Sequence, residues 1–409
     1  MLIKSTVQKA PTTLLLFLTA WLVTEVALLI APSLLPDTWY LKGYLSETAE
    51  EKTLEFLNNK NATIPDEDLG WVNKKNLSLG SWVIDQWGGR HHKPIALDKP
   101  ENTYRTVILG SSLMNGNNAV DNNGTISAIL DENLNKEAHE LLPQFAIHNH
   151  EVLNFATMMY GMDQILVQIK KSIINFSPDM LVIGLHEEPI DSLNNVYIPF
   201  RLPEEENMPY VKPQFEIQEN QLVFHKAPLK LLNPMSQDTV DYFKKQDHFF
   251  YNFERFQHFG FMPLGDELSK IYLKAKNMLT YWTDQGNEYL LLRTLMADLQ
   301  AYADQKGIKV VYLYLPTPRG LDRGSIWKLM PDYYAQRYEW LQKPWVQNEL
   351  IHLEKAPKIK QPTVINIRDY FRQSNISTDK LYAEDYFHFS KQGNHTIAHA
   401  IEDLVFKSN

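Results

Sequence analysis

Residues 107–116 read Val107-Ile-Leu-Gly-Ser-Ser-Leu-Met-Asn-Gly116. An apolar run opened by two β-branched residues predicts a buried strand, and its abrupt end at Gly-Ser-Ser predicts a tight turn. Such a turn holds a hydroxyl, that of Ser111 or Ser112, at the carboxyl edge of the strand, while Gly110 and Gly116 let the chain bend sharply towards the next helix. Far along the chain, Asp385-Tyr-Phe-His388 sets a carboxylate and an imidazole just ahead of a predicted helix. An attacking oxygen, a base to take its proton and an acid to orient the base are the needs of a serine nucleophile. Neither element means much alone, because Gly-Ser-Ser is ordinary turn chemistry and thirteen histidines make chance Asp–His spacings common. Their joint placement at element boundaries carries the reading.

Working outward, strands are predicted over Arg105–Leu109, Glu151–Phe155, Asp179–Gly184, Ile308–Leu315 and Thr363–Ile367. Helices are predicted between them, over Ile126–Leu134, Met162–Phe176, Tyr289–Gln305 and Pro331–Gln342, with a closing helix over Phe389–Val405. Alternating apolar strands and amphipathic helices predict a three-layer α/β/α sandwich around a parallel sheet. In open parallel sheets ligands bind beyond the carboxyl ends of the strands, where Ser111 and Ser112 fall. Between Asp191 and Asn287 this regularity fails over a stretch too long for an ordinary loop. It is rich in Pro, Phe and Tyr, with a hairpin candidate turning at Glu219-Asn220, and reads as an insertion over the active-site face.

The apolar run Thr12–Ala31 has the length of a membrane-spanning helix. Lys4 and Lys9 precede it and Asp37, Glu47, Glu50 and Glu51 follow, which predicts a single-pass inner-membrane anchor with a cytoplasmic N-terminus and a periplasmic main domain. Glu25 within the run is a candidate contact for a partner's transmembrane helix. The expected organisation is thus a tip and anchor (1–36) and a linker helix opening the exported part (37–100). A catalytic domain (101–190 and 288–409) follows, interrupted by the insertion (191–287). A net charge of -9 without any Lys/Arg tract argues against nucleic acid as a partner. With no cysteine there are no disulfides, thiol nucleophiles or Cys-based metal sites. His186, Glu187 and Glu188 are adjacent on an extended segment and rarely would converge on one ion, so no metal or cofactor is expected. Arg90, after Gly88-Gly89, is a candidate for an anionic substrate group, and Arg319, after the strand ending at Pro316, is a candidate for the cleft mouth.

These segments resemble the SGNH/GDSL hydrolase superfamily, and more closely its membrane-anchored, extracytoplasmic branch acting on acylated glycans. The likeness runs from about Gly70 to Ala400. Gly110-Ser-Ser-Leu-Met-Asn-Gly116 is similar to that family's first block, which implies that Ser112 is the nucleophile and that Ser111 replaces an aspartate. Asp385-Tyr-Phe-His-Phe-Ser-Lys-Gln-Gly393 is similar to its Asp-x-x-His block, which implies that Asp385 orients and His388 acts as base. Asn154-Phe-Ala-Thr-Met-Met-Tyr-Gly-Met-Asp163 and Gly184-Leu-His-Glu187 resemble the two oxyanion blocks with departures. Met159 stands where the family has glycine, His186 where it has asparagine, and Glu187 where it has aspartate. A neutral imidazole donates one N–H, so His186 can replace the missing amide, whereas Glu187 and Glu188 would oppose a developing anion. The resemblance implies an O-acyl, above all O-acetyl, esterase or transferase on a cell-envelope glycan. The rival expectation is an inactive subunit of an envelope assembly or polysaccharide-synthesis complex.

Overall fold

The computed structural model describes residues 53–136, 149–187, 196–201, 207–219, 221–232, 287–321, 333–342 and 362–407, with isolated positions at 19, 20, 23, 190 and 193. Five strands form one parallel sheet: β1 (Thr103–Leu109), β2 (Asn149–Asn154), β3 (Met180–Leu185), β4 (Lys309–Tyr314) and β5 (Thr363–Asn366). Their order across the sheet is β5-β4-β3-β1-β2. The chain moves from β1 outward to β2, then returns to lay β3 on the other side of β1. That reversal opens a crevice between the carboxyl ends of β1 and β3, the place where a doubly wound sheet binds its ligands.

Side chains alternate along each strand, so each strand feeds two cores. On one face Ile108, Val152, Val182, Val311 and Ile365 pack with α2 (Ile126–Lys136), α5 (Ile367–Gln373) and α6 (Lys391–Ile401), through Ile126, Ile129, Leu130, Ile367, Phe371, Ile397 and Ile401. On the other run α3 (Met162–Lys171) and α4 (Asn287–Lys306), packed on one another. Tyr312 of β4 donates there to the Met296 carbonyl of α4 at 3.4 Å. Each fully buried aliphatic side chain contributes about 1.5–3 kcal/mol, so the two cores carry the sheet. The helix expected over Met162–Phe176 breaks at Ser172, and Ile173–Phe176 continues as a 3-10 turn ending at left-handed Ser177.

Arg105 at the foot of β1 is buried outright, yet its guanidinium is fully used. It donates to Glu151 at 2.8 Å and to the carbonyls of Leu97, Phe176 and Ala96 at 2.8, 2.7 and 3.1 Å. A buried charge costs several kcal/mol unless its donors are met in this way.

The chain divides into two compact units. One comprises Met1–Glu55, Tyr197–Val211 and Pro228–Gln285; the other comprises Phe56–Val196, Lys212–Ala227 and Gly286–Asn409 and contains the sheet. In the first, Tyr197–Arg201 pairs antiparallel with Asn207–Val211. In the second, the expected hairpin forms between Gln214–Gln218 and Gln221–His225, with Glu219 in the left-handed region at φ 48. Of the expected insertion, residues 191, 192, 194, 195, 202–206, 220 and 233–286 lie outside the described residues.

The membrane anchor is corrected. Among the described residues no helix is long and apolar enough to cross a membrane. Of the run Thr12–Ala31 only Thr19, Ala20 and Val23 are described; they are helical and exposed, and Glu25 lies outside the described residues. The single-pass topology, the inner-membrane placement with its periplasmic domain, and the partner contact through Glu25 are therefore unsupported. Apolar composition marks a run as able to span a bilayer, but spanning also requires one continuous helix in which every backbone group is satisfied.

Candidate active site

β1 ends at Leu109, and Gly110 turns the backbone at φ 144. Ser111 is extended and caps α1 (Ser112–Asn115), a single turn that Gly116 closes at φ 87 by donating its N–H to the Ser112 carbonyl at 2.9 Å. The turn sits down on the sheet because Met114 wedges between two glycines. A Cβ on Gly184 would lie 2.2 Å from Met114 Cγ, and one on Gly110 would lie 2.7 Å from it. The end of β2 fastens the turn from the side. Asn115 Nδ2 donates to the Ala156 carbonyl at 2.7 Å, Asn154 Nδ2 to the Met114 carbonyl at 3.2 Å, and the Thr157 N–H to the Gly110 carbonyl at 3.0 Å.

The second element is a tight loop before α6. Asp385 Oδ1 accepts the backbone N–H groups of Phe387 and His388 at 3.0 and 2.9 Å, and its Oδ2 lies 2.6 Å from His388 Nδ1. Burial raises the Asp385 carboxyl, but hydrogen bonds from the His388 ring and from these two N–H groups outweigh it and hold the group below the usual carboxylate range. An ionised carboxylate only accepts, so Nδ1 carries the imidazole proton and Nε2 presents its lone pair. Ser390 caps α6 by accepting the Gly393 N–H at 3.1 Å. Gly393 itself has no room for a side chain, since a Cβ there would lie 2.1 Å from the Leu381 carbonyl.

Three contacts bring the two elements together. Asn117 Nδ2, just past α1, lies 3.4 Å from His388 Nε2 and is its donor. Ser111 Oγ lies 3.2 Å from His186 Nδ1, joining the ends of β1 and β3. The His186 ring meets Phe387 edge-on at 6.0 Å between centroids. Ser112 is 6% exposed, and its Oγ makes no hydrogen bond among the described residues.

The remaining expected residues fall as follows. His186 is buried, and burial, with a smaller push from His388, lowers its pKa to about 3; it is neutral, and its Nε2 has no partner among the described residues. The residue is 1% exposed, and its ring meets Ser111 through Nδ1. Met159 takes the glycine-like φ of 59, so the backbone shape survives without the glycine. Glu187 follows His186 half-buried, and Glu188 lies outside the described residues. Arg319 belongs to the helical turn Pro318–Leu321, and its side chain lies outside what is described. Arg90 spends its guanidinium on the protein itself. It is buried, and it donates to the carbonyls of Asn115, Asn117 and Val120 at 3.1, 2.5 and 2.6 Å and to Asn122 Oδ1 at 3.0 Å. Asn117 is the residue that sequence reasoning missed; its only signal was an asparagine straight after a glycine, where left-handed backbone is common.

No family model matches the chain, and no curated protein matches it. Among solved structures it is similar to an acetyl xylan esterase, at 10% identity and TM-score 0.35, covering 74% of this chain and 99% of that one. It is similar to a lipase from a goat rumen metagenome at 13% and 0.30, covering 74% and 98%. An acetyl xylan esterase from Geobacillus stearothermophilus gives 11% and 0.36, covering 74% and 95%. Likenesses this distant carry no chemistry to this chain. The expected membership of the SGNH/GDSL superfamily's membrane-anchored branch is corrected accordingly: no family model supports it, and no described helix can serve as its anchor.

Proposed function

We propose that this chain is a serine hydrolase acting on acyl esters, with Ser112 as nucleophile, His388 as base and Asp385 as the group that orients the base. One observation carries the reading: Asp385 holds His388 by Nδ1 at 2.6 Å, which leaves Nε2 unprotonated and facing the loop that follows α1. In the first step Ser112 Oγ bonds to the ester carbonyl carbon, its proton passes to Nε2, and the carbonyl π pair moves onto oxygen. Collapse expels the alcohol, which takes the proton from Nε2; water or a sugar hydroxyl then releases the acyl group by the reverse sequence. The missing Ser112–His388 hydrogen bond fits a resting site, since such bonds tighten when substrate binds. For substrate we propose an O-acylated, above all O-acetylated, glycan. Tyr386, between the acid and the base, is 71% exposed and offers a ring on which a sugar can stack.

A second reading is favoured by the same contact. With Nε2 engaged by Asn117 and Ser112 Oγ without a hydrogen bond among the described residues, the site also suits an inactive binding subunit. A fluorophosphonate probe, followed by mass spectrometry of the adduct, separates the two. A Ser112 adduct is expected; neither labelling nor turnover of aryl acetates would leave the binding subunit.

A further inference from the structure

A tetrahedral intermediate needs a hydrogen-bond donor for its oxygen, and the donor expected from the end of β3 is not available. His186 is buried, faces Ser111 with Nδ1, and keeps Nε2 closed off from the surface. Asn117 is better placed. Its Nδ2 lies 3.4 Å from His388 Nε2, the atom that must receive the nucleophile's proton, so it stands beside the reacting centre. Its backbone is held in place from beneath. Gly116 and Asn117 both take positive φ, 87 and 36, and the Asn117 carbonyl accepts Arg90 Nη1 at 2.5 Å. Arg90 also grips the carbonyls on either side of Asn117, those of Asn115 and Val120. Asn117 itself is half-buried.

We infer that Asn117 is a catalytic residue that donates to the oxyanion. The inference rests on the serine-hydrolase reading above. In the resting site its N–H donates to the Nε2 lone pair. One lone pair accepts one donor, so the Ser112 hydroxyl must displace the amide from Nε2 before its proton can move, and the proton then carried by Nε2 keeps the amide away. At the same moment the carbonyl π pair has become an oxyanion close by, and the amide N–H turns to it. The donor therefore strengthens its interaction only as the transition state forms, which is the condition for lowering the barrier rather than only tightening binding.

Asn117→Gly deletes the amide yet keeps a residue that adopts positive φ freely, so the loop is preserved. With the full chain and an aryl acetate, kcat should fall by ~10²–10³-fold with KM little changed. Affinity for an alkyl boronic acid, which forms a tetrahedral anionic adduct on serine, should fall by a similar factor. The acid limb of the pH–rate profile should not move. A kcat near that of the unaltered chain would overturn the inference, as would a loss accompanied by a shifted acid limb, since that would make Asn117 only a holder of the base. Absence of turnover in the unaltered chain would instead sink the serine-hydrolase reading itself.

Discussion

Ser111 Oγ and His186 Nδ1 lie 3.2 Å apart, both buried, bridging the ends of β1 and β3. The two serines of the turn thus stand differently: Ser111 ties the end of β1 to the end of β3, and Ser112 opens α1 with an oxygen that makes no hydrogen bond among the described residues.

Replacing each serine tells them apart. Ser112→Ala should abolish fluorophosphonate labelling. Ser111→Ala should leave labelling measurable but strand a buried imidazole nitrogen, at a cost of about 1–3 kcal/mol in urea unfolding. The opposite assignment of labelling would reverse their roles.

Acid should destabilise the fold through its buried histidines. Burial lowers both His186 and His91 to about 3, with the charges of neighbouring groups adding to the effect. Unfolded histidine titrates near about 6.5, so in the window between, the unfolded chain binds more protons. Stability from these groups is complete above that upper value and is lost as pH falls towards the lower one. Each histidine adds a slope of up to ~1.4 kcal/mol per pH unit. Urea titrations across this window should show a shallower slope for His186→Gln; an unchanged slope would refute the assignment.

Met159 occupies a backbone region that costs a side-chain-bearing residue about 1–2 kcal/mol. Met159→Gly removes that strain while adding chain entropy, so stability should change by less than ~1 kcal/mol. Met159→Val puts a β-branched side chain at positive φ and should lower the melting temperature clearly. Equal stability of the two variants would show that the turn relaxes.

Gly393→Ala places a Cβ against the Leu381 carbonyl, and backbone rather than a side chain must move. The start of α6 should shift and carry the Asp385–His388 loop with it. Loss of labelling together with a lower melting temperature is expected; native behaviour in both would mean that the loop is positioned independently of α6.

Arg90→Met should strand several buried carbonyls, costing about 1–3 kcal/mol for each that water cannot reach. It should also loosen Asn117, so kcat should fall more than KM rises. A rise in KM alone would return Arg90 to the role of an anion ligand.

The parallel sheet, its helices and the serine turn were legible from residues 107–116 outward because period and local backbone chemistry fix them. An apolar strand must be buried, and glycine alone fits where Met114 wedges or where α6 meets Leu381. The Asp385–His388 pair was legible for the same reason, being closed within four residues. What faces what across the sheet was not. Arg90 and His186 read as site residues by type and position, yet the fold turns one into a brace for the 115–122 loop and the other into a buried partner of Ser111. Asn117 reached His388 only through the packing of α6 on α2, which brings the Asp385–His388 loop to the residue just past α1. Local sequence determined which residues turn, cap and alternate. Only tertiary packing, which decides which polar atoms lose water and which must find partners inside, chose the residues that meet at the site.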